Sequence, residues 1–191
     1  MQTCPDLGHA VSLRTLLPEA ALAGADDIWA EGCACDSRQI QPGQVFAALP
    51  GTRQDGHEFV AEAIQRGCSA VLAQRPLPDA GLPVCVVPNV GDAYGRLCQA
   101  LAGNPSQCLK VIGITGTNGK TTTSCLIAGV LTTAGHRIGL LGTLGYLDGQ
   151  RVDEAPWTTP PADQLAAYFN RMLRNGCSHA IMEVSSHALA Q

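Results

Sequence analysis

The residues best suited to chemistry stand together in VIGITGTNGKTTTSCLIAGVL, from Val111 to Leu131. Val111 to Ile114 is a short β-branched run that reads as a buried strand, and from Thr121 onward Cys125, Leu126, Val130 and Leu131 fall on one helical face. Gly116, Thr117, Asn118 and Gly119 then occupy a strand-to-helix turn. The two glycines let backbone N–H groups point inward without a Cβ, the helix N-terminus adds partial positive charge, and Lys120 adds a full one. Such a turn is an anion cradle suited to phosphate. Thr121 and Thr122 follow at its rim, and the Thr121 hydroxyl would reach a phosphate-bridging Mg²⁺. The strict pattern G-x-x-x-x-G-K-[ST] requires glycine where Ile114 stands, so only the shorter G-T-N-G-K-T remains, in the right strand–loop–helix setting. The alternative is an ordinary glycine-rich turn with a solvated lysine.

Two further groups could face this loop. Glu183 ends the apolar run HAIM, a place where an acid can hold Mg²⁺ directly or through water; otherwise it caps a helix or faces solvent. Thr158 and Thr159 precede Pro160 and Pro161, which suit a first helical turn, so their hydroxyls are either ligand contacts or a helix N-cap. Ser185, Ser186 and His187 invite a hydrolase reading, but no G-x-S-x-G elbow surrounds them.

The elements that must position these residues alternate. Strands are expected at 44–51, 69–74 and 82–89 and helices at 57–67 and 90–103, which make a small α/β unit. NPSQC at 104–108 reads as a turn and as the boundary between a domain at 1–105 and a second at 106–191. The second has strands at 109–114, about 137–144 and 179–184 and helices at 120–134 and 161–175, with parallel pairing and right-handed crossovers. In such a sheet ligands sit beyond the carboxyl ends of the strands, so the loop, the segment 142–161 and the segment 182–191 should converge.

Composition narrows the partners. The 191 residues are 46% hydrophobic, enough for one large or two smaller cores. A net charge of -4 with 4% aromatics and no basic cluster removes the footprint of a nucleic-acid binder. No apolar run approaches a membrane span, and MQTCPDLGHA lacks a basic segment followed by a hydrophobic one, so no membrane partner and a cytoplasmic location are expected. Nine cysteines include no C-x-x-C pair, which favours reduced thiols packed as small hydrophobes, Cys85 and Cys125 among them; only Cys33 and Cys35 stand close enough to suggest metal.

TGTNGKTTT at 115–123, TTPP at 158–161, MEVSSHAL at 182–189 and DSRQIQPGQVFAALPGTRQDGHEFVAEAIQRG at 36–67 together resemble the Mur ligases over nearly the whole chain. The likeness is strongest to the branch that adds the third amino acid to UDP-N-acetylmuramoyl-dipeptide in peptidoglycan synthesis. It implies a small N-terminal α/β uridine-binding domain followed by part of a P-loop-type parallel-sheet ATP-binding domain. It implies ATP and Mg²⁺, an acyl phosphate attacked by the amine of an incoming amino acid, and Lys120 and Glu183 as catalytic groups, with Thr121 and Glu183 on the metal. For the UDP-sugar peptide it implies Cys35, Ser37, Thr52, Arg53, Gln54, Trp157, Thr158, Thr159, Ser185 and Gln191. Trp157 and Cys35 depart from the Asn and Leu common at those places. The resemblance further implies that 191 residues end before a carbamylated lysine and an amine-binding domain, so the chain is expected to be an inactive, poorly soluble fragment that cannot choose between diaminopimelate and lysine. A MurF-type ligase, a folylpolyglutamate synthase and a non-catalytic nucleotide or UDP-sugar module are the alternatives.

Overall fold

The computed structural model describes residues 10–51 and 54–189, which form two compact units divided between Leu101 and Ala102. The first unit runs β1 (Val11–Ser12), α1 (Leu13–Leu16), β2 (Ala21–Ala23), β3 (Trp29–Ala30), β4 (Cys33–Ala34), β5 (Val45–Ala47), α2 (Val60–Gln65), β6 (Ala70–Ala73), β7 (Val84–Val86) and α3 (Val90–Leu101). Its main sheet has the order β2-β7-β6-β5-β4, parallel except where β2 joins β7. β5 and β6 are buried along their whole length, which explains their unbroken apolar sequences VFA and AVLA. α3 turns Val90, Ala93, Tyr94, Leu97 and Cys98 inward at helical spacing. The helix expected at 57–67 opens instead as a 3₁₀ turn, Gly56–Phe59, ahead of α2. Gly67, at φ +87°, lets the chain leave that helix. The strands β1 to β4 escaped the sequence pattern because two or three residues cannot display an alternation.

The second unit runs α4 (Pro105–Cys108), β8 (Lys110–Ile114), α5 (Lys120–Thr133), β9 (Ile138–Gly142), β10 (Gly145–Leu147), β11 (Val152–Asp153), α6 (Ala162–Arg174), β12 (His179–Glu183) and α7 (Ser186–Leu189). NPSQC is therefore a helical turn, with Pro105 at its first position, and it packs on α6. The sheet order is β11-β10-β9-β12-β8. β8, β12 and β9 pair in parallel as expected, but β10 and β11 are antiparallel and occupy part of the segment expected to be loop. β12, between two parallel neighbours, is buried at all five residues.

The expectation of a buried β8 fails: it is the edge of the sheet, and Val111 is 40% exposed. The helical face expected to pack fails with it. α5 rests on β9 and β12 with Ser124 as its only buried residue, whereas Cys125, Leu126 (66%) and Val130 (69%) are exposed. The helix is apolar nearly all round, a pattern suited to burial on two sides, so apolar spacing alone did not tell the covered face from the open one. Replacing Leu126 and Val130 together by Gln should raise the concentration at which the chain stays in solution while shifting its melting temperature by no more than about 2 °C. A solubility limit unchanged by the double substitution would show that this face does not govern association. Among the described residues no helix is long and apolar enough to cross a membrane.

The β10–β11 hairpin is tied to α6 by a charged cluster. Asp148, 3% exposed, accepts from the amides of Gln150 and Arg151 and from Arg171, whose guanidinium also reaches Asp153. Burial alone would raise the Asp148 pKa, but those amides and Arg171 outweigh it and hold the carboxyl down at about 2. A depressed folded pKa contributes stability that is complete above the unfolded carboxyl range and lost as pH falls through about 2. Asp148→Asn should therefore cost about 2 kcal/mol at pH 7 and very little near pH 2, measured by denaturant unfolding at both pH values.

Candidate nucleotide and metal site

Three parallel strands deliver the site. β8 runs into the loop before α5, β9 ends at Gly142, and β12, between them, ends at Glu183, so all three carboxyl ends open on one side of the sheet. Gly116 (φ +147°) and Gly119 (φ +80°) adopt backbone that other residues resist, and the latter turns the chain directly into α5. No side chain caps that helix, so its first amides remain directed at the loop. The Lys120 ammonium donates to the Gly116 carbonyl at 2.7 Å, which holds its charge over the same turn.

A cavity of about 420 Å³ lies here, lined by Thr117, Asn118, Gly119, Lys120, Thr121, Thr122, Thr143, Thr158, Glu183 and Ser185. Glu183 is 1% exposed, yet its hydrogen-bond donors among the described residues are neutral. Its Oε2 accepts from the Thr121 hydroxyl at 3.0 Å and from the Thr143 hydroxyl at 3.2 Å, and its Oε1 accepts from the Thr143 amide at 3.2 Å. No ion pair to Glu183 occurs among the described residues. A buried carboxylate beside a hydroxyl, both hard oxygen donors and without a cation, fits Mg²⁺. Thr121 and Glu183 are the residues that would hold it.

Thr143 and Gly142 were not singled out by the sequence. A Cβ on Gly142 would lie 2.2 Å from Glu183 Oε1 and 2.8 Å from its Cδ, so the acid occupies the space that only glycine leaves. A glycine at the end of a strand followed by a hydroxyl residue was the available signal, but many turns carry it.

The TTPP segment enters the same cavity through Thr158, whose hydroxyl stands 3.3 Å from that of Thr143. The helix-cap reading of these threonines fails. Pro161 stands at the N-cap of α6 without a side-chain bond, while the Thr159 hydroxyl donates to the Glu183 carbonyl and accepts from the Ser185 amide. The segment is braced by the Tyr146 hydroxyl, which donates to the Trp157 carbonyl at 2.5 Å, and Tyr146 packs edge-on against Tyr168. Trp157 itself is 62% exposed and is not among the residues lining the cavity.

The residues implied for the uridine side belong to the first unit. Cys35 is half-buried after β4, and Ser37 is buried with its hydroxyl donating to Glu62 at 2.7 Å. Gln54 is exposed, and its carbonyl accepts from the Gly51 amide. His57 follows in the 3₁₀ turn Gly56–Phe59. Its Nε2 accepts from the Gln74 amide, so the ring proton sits on Nδ1 and is donated to Asp55 at 2.6 Å. Thr52, Arg53 and Gln191 lie outside the described residues. No group of three or more His, Cys, Asp or Glu that could hold a metal occurs among the described residues, the Cys33–Cys35 neighbourhood included. Burial pushes the Cys85 thiol up to about 11, consistent with its packing as a small hydrophobe.

Comparison with known proteins follows the same division. The model of the Mur ligase family catalytic domain matches 30–100, and that of the Mur ligase middle domain matches 114–191. The UDP-N-acetylmuramoyl-L-alanyl-D-glutamate--2,6-diaminopimelate ligase of Geobacillus thermodenitrificans is 45% identical over 156 residues, 82% of this chain and 32% of that relative. The corresponding ligase of Alkalilimnicola ehrlichii is 41% identical over 94% of this chain and 39% of its own length. A solved structure of a ligase with the same description superposes with a TM-score of 0.71 at 29% identity, covering 95% of this chain and 37% of that one. The chain spans about a third of the length of the curated relatives it matches. With one family model on each unit and this degree of identity, the chain belongs to the Mur ligase family.

Proposed function

We propose that this chain supplies the UDP-sugar-binding and ATP-binding parts of a MurE-type ligase, which adds the third amino acid to UDP-N-acetylmuramoyl-L-alanyl-D-glutamate in the cytoplasm. One observation carries the reading: an uncapped helix start, Lys120 and a buried Glu183 beside Thr121 surround a single cavity. The printed names of the relatives support 2,6-diaminopimelate as the amino acid added.

In this reading the loop amides and Lys120 take the β- and γ-phosphates of ATP, where charge neutralisation matters more than covalent participation. Thr121 and Glu183 would hold Mg²⁺, which when bound would supply positive charge to offset that of the phosphates. Thr158, Thr159 and Ser185 orient the muramoyl-peptide arm, and residues 1 to about 105 hold the uridine through Cys35, Ser37, Thr52, Arg53 and Gln54, with Gln191 on the peptide side. The incoming amine then displaces phosphate from the acyl phosphate to form the amide.

Titrating the chain with UDP-N-acetylmuramoyl-L-alanyl-D-glutamate, and in parallel with the corresponding tripeptide, tests the assignment. Saturable binding of the dipeptide form at least about tenfold tighter than the tripeptide form is expected. The reverse preference would favour a MurF-type ligase, a reading that draws on a MurF of Acinetobacter baumannii superposing with a TM-score of 0.57 at 26% identity. Absence of binding to either would leave a nucleotide module without a UDP-sugar role.

A further inference from the structure

We infer that Thr143 is a positioning residue that seats Glu183 for its cation and links that carboxylate to Thr158 on the other side of the cavity. The inference rests on the nucleotide and metal reading of the same pocket.

Thr143 and Leu144 form the two-residue turn between β9 and β10, closed by the pairing of Gly142 with Gly145. A turn this short fixes the Thr143 backbone, and the residue reaches Glu183 twice, through its amide to Oε1 and its hydroxyl to Oε2. The two bonds hold the carboxylate plane at both oxygens, while Gly142 leaves no Cβ in the way. The Thr121 hydroxyl also bonds Oε2, so without Thr143 the described residues would anchor the acid at one oxygen only. The direction of the chain follows from the count of protons. A threonine hydroxyl has one, and that of Thr143 is donated to Glu183, so at 3.3 Å the Thr158 hydroxyl is the donor to Thr143. Thr158 therefore donates to Thr143 and Thr143 to Glu183. A ligand that draws the Thr158 hydroxyl away frees an acceptor lone pair on Thr143 without releasing the carboxylate.

Thr143→Val keeps the shape and the amide bond but removes the hydroxyl, and Thr143→Ser keeps the hydroxyl and removes the methyl. Two readouts are taken on the 191-residue chain. The first is the ratio of ATP affinities with and without Mg²⁺, by calorimetry; Thr143→Val should lower this ratio about tenfold, and Thr143→Ser should restore it to within about twofold of the original. The second uses no ligand: thermal unfolding of Thr143→Val, Glu183→Gln and the double variant. Thr143→Val should lower the midpoint by about 3 °C in the original background and by much less beside Glu183→Gln. An unaltered Mg²⁺ ratio in Thr143→Val, or equal defects in the Val and Ser variants, would overturn the inference. A chain that binds no nucleotide at all would instead overturn the functional reading, and the unfolding cycle would still decide whether Thr143 seats the acid: additive midpoints would refute it.

Discussion

Lys120→Ala should lower the affinity of the chain for Mg·ATP by about 100-fold and leave its melting temperature within about 2 °C of the original. The first part follows from the loss of a charge-assisted bond to phosphate, worth about 2 to 3 kcal/mol where the remaining donors are neutral amides. The second follows from position. The Lys120 ammonium is engaged with the loop carbonyl of Gly116 and with no core group, so its removal empties no packed volume. Calorimetric titration beside a thermal scan measures both. An unchanged affinity would mean that the lysine is an ordinary solvated side chain at a glycine-rich turn, and a large drop in melting temperature would mean that it serves the fold.

Gly142→Ala should disable the same site from the opposite wall. The added Cβ would lie 2.2 Å from Glu183 Oε1, 2.8 Å from Cδ and 3.0 Å from Cγ. Glu183 is 1% exposed and bonded at both oxygens, so it cannot rotate away without breaking those bonds inside the protein. Overpacking of this kind costs about 1 to 3 kcal/mol, and here the atoms that must move include the proposed metal ligand. The expected result is a melting temperature lower by several degrees and an ATP affinity that no longer responds to Mg²⁺. Gly139→Ala is the control. Its Cβ would meet the flexible end of Met172 rather than the carboxylate, so it should cost stability and spare the Mg²⁺ response. A Gly142→Ala chain with an intact Mg²⁺ response would show that the Glu183 seat is not what couples cation and nucleotide.

The loop was legible in the sequence because its chemistry is local. Glycines at 116 and 119 and Lys120 at a helix start report on their own backbone, and the turn they form is the one observed. Glu183 was legible because a lone acid at the end of an apolar strand has few reasons to be there. Gly142 and Thr143 were not, since their part depends on β9 lying next to β12, a pairing between residues about 40 positions apart that no local pattern encodes. The β10–β11 hairpin was hidden for a related reason: strands of three and two residues are held by the Asp148–Arg171 cluster and the Tyr146–Trp157 bond more than by alternation. Apolar character alone does not report which surface is covered in β8 and on the outer face of α5, where Val111, Leu126 and Val130 are open in this chain.

In the proposed function the loop, Lys120 and Glu183 make one Mg²⁺-dependent nucleotide site. Its most direct test is titration of the unaltered chain with ATP, once in excess Mg²⁺ and once in a chelator. A single saturable site in Mg²⁺, weakened at least about tenfold by the chelator, is the predicted result. Equal affinity in the two buffers, or no saturable binding up to about millimolar ATP, where even weak sites of about 4 kcal/mol register, would contradict it.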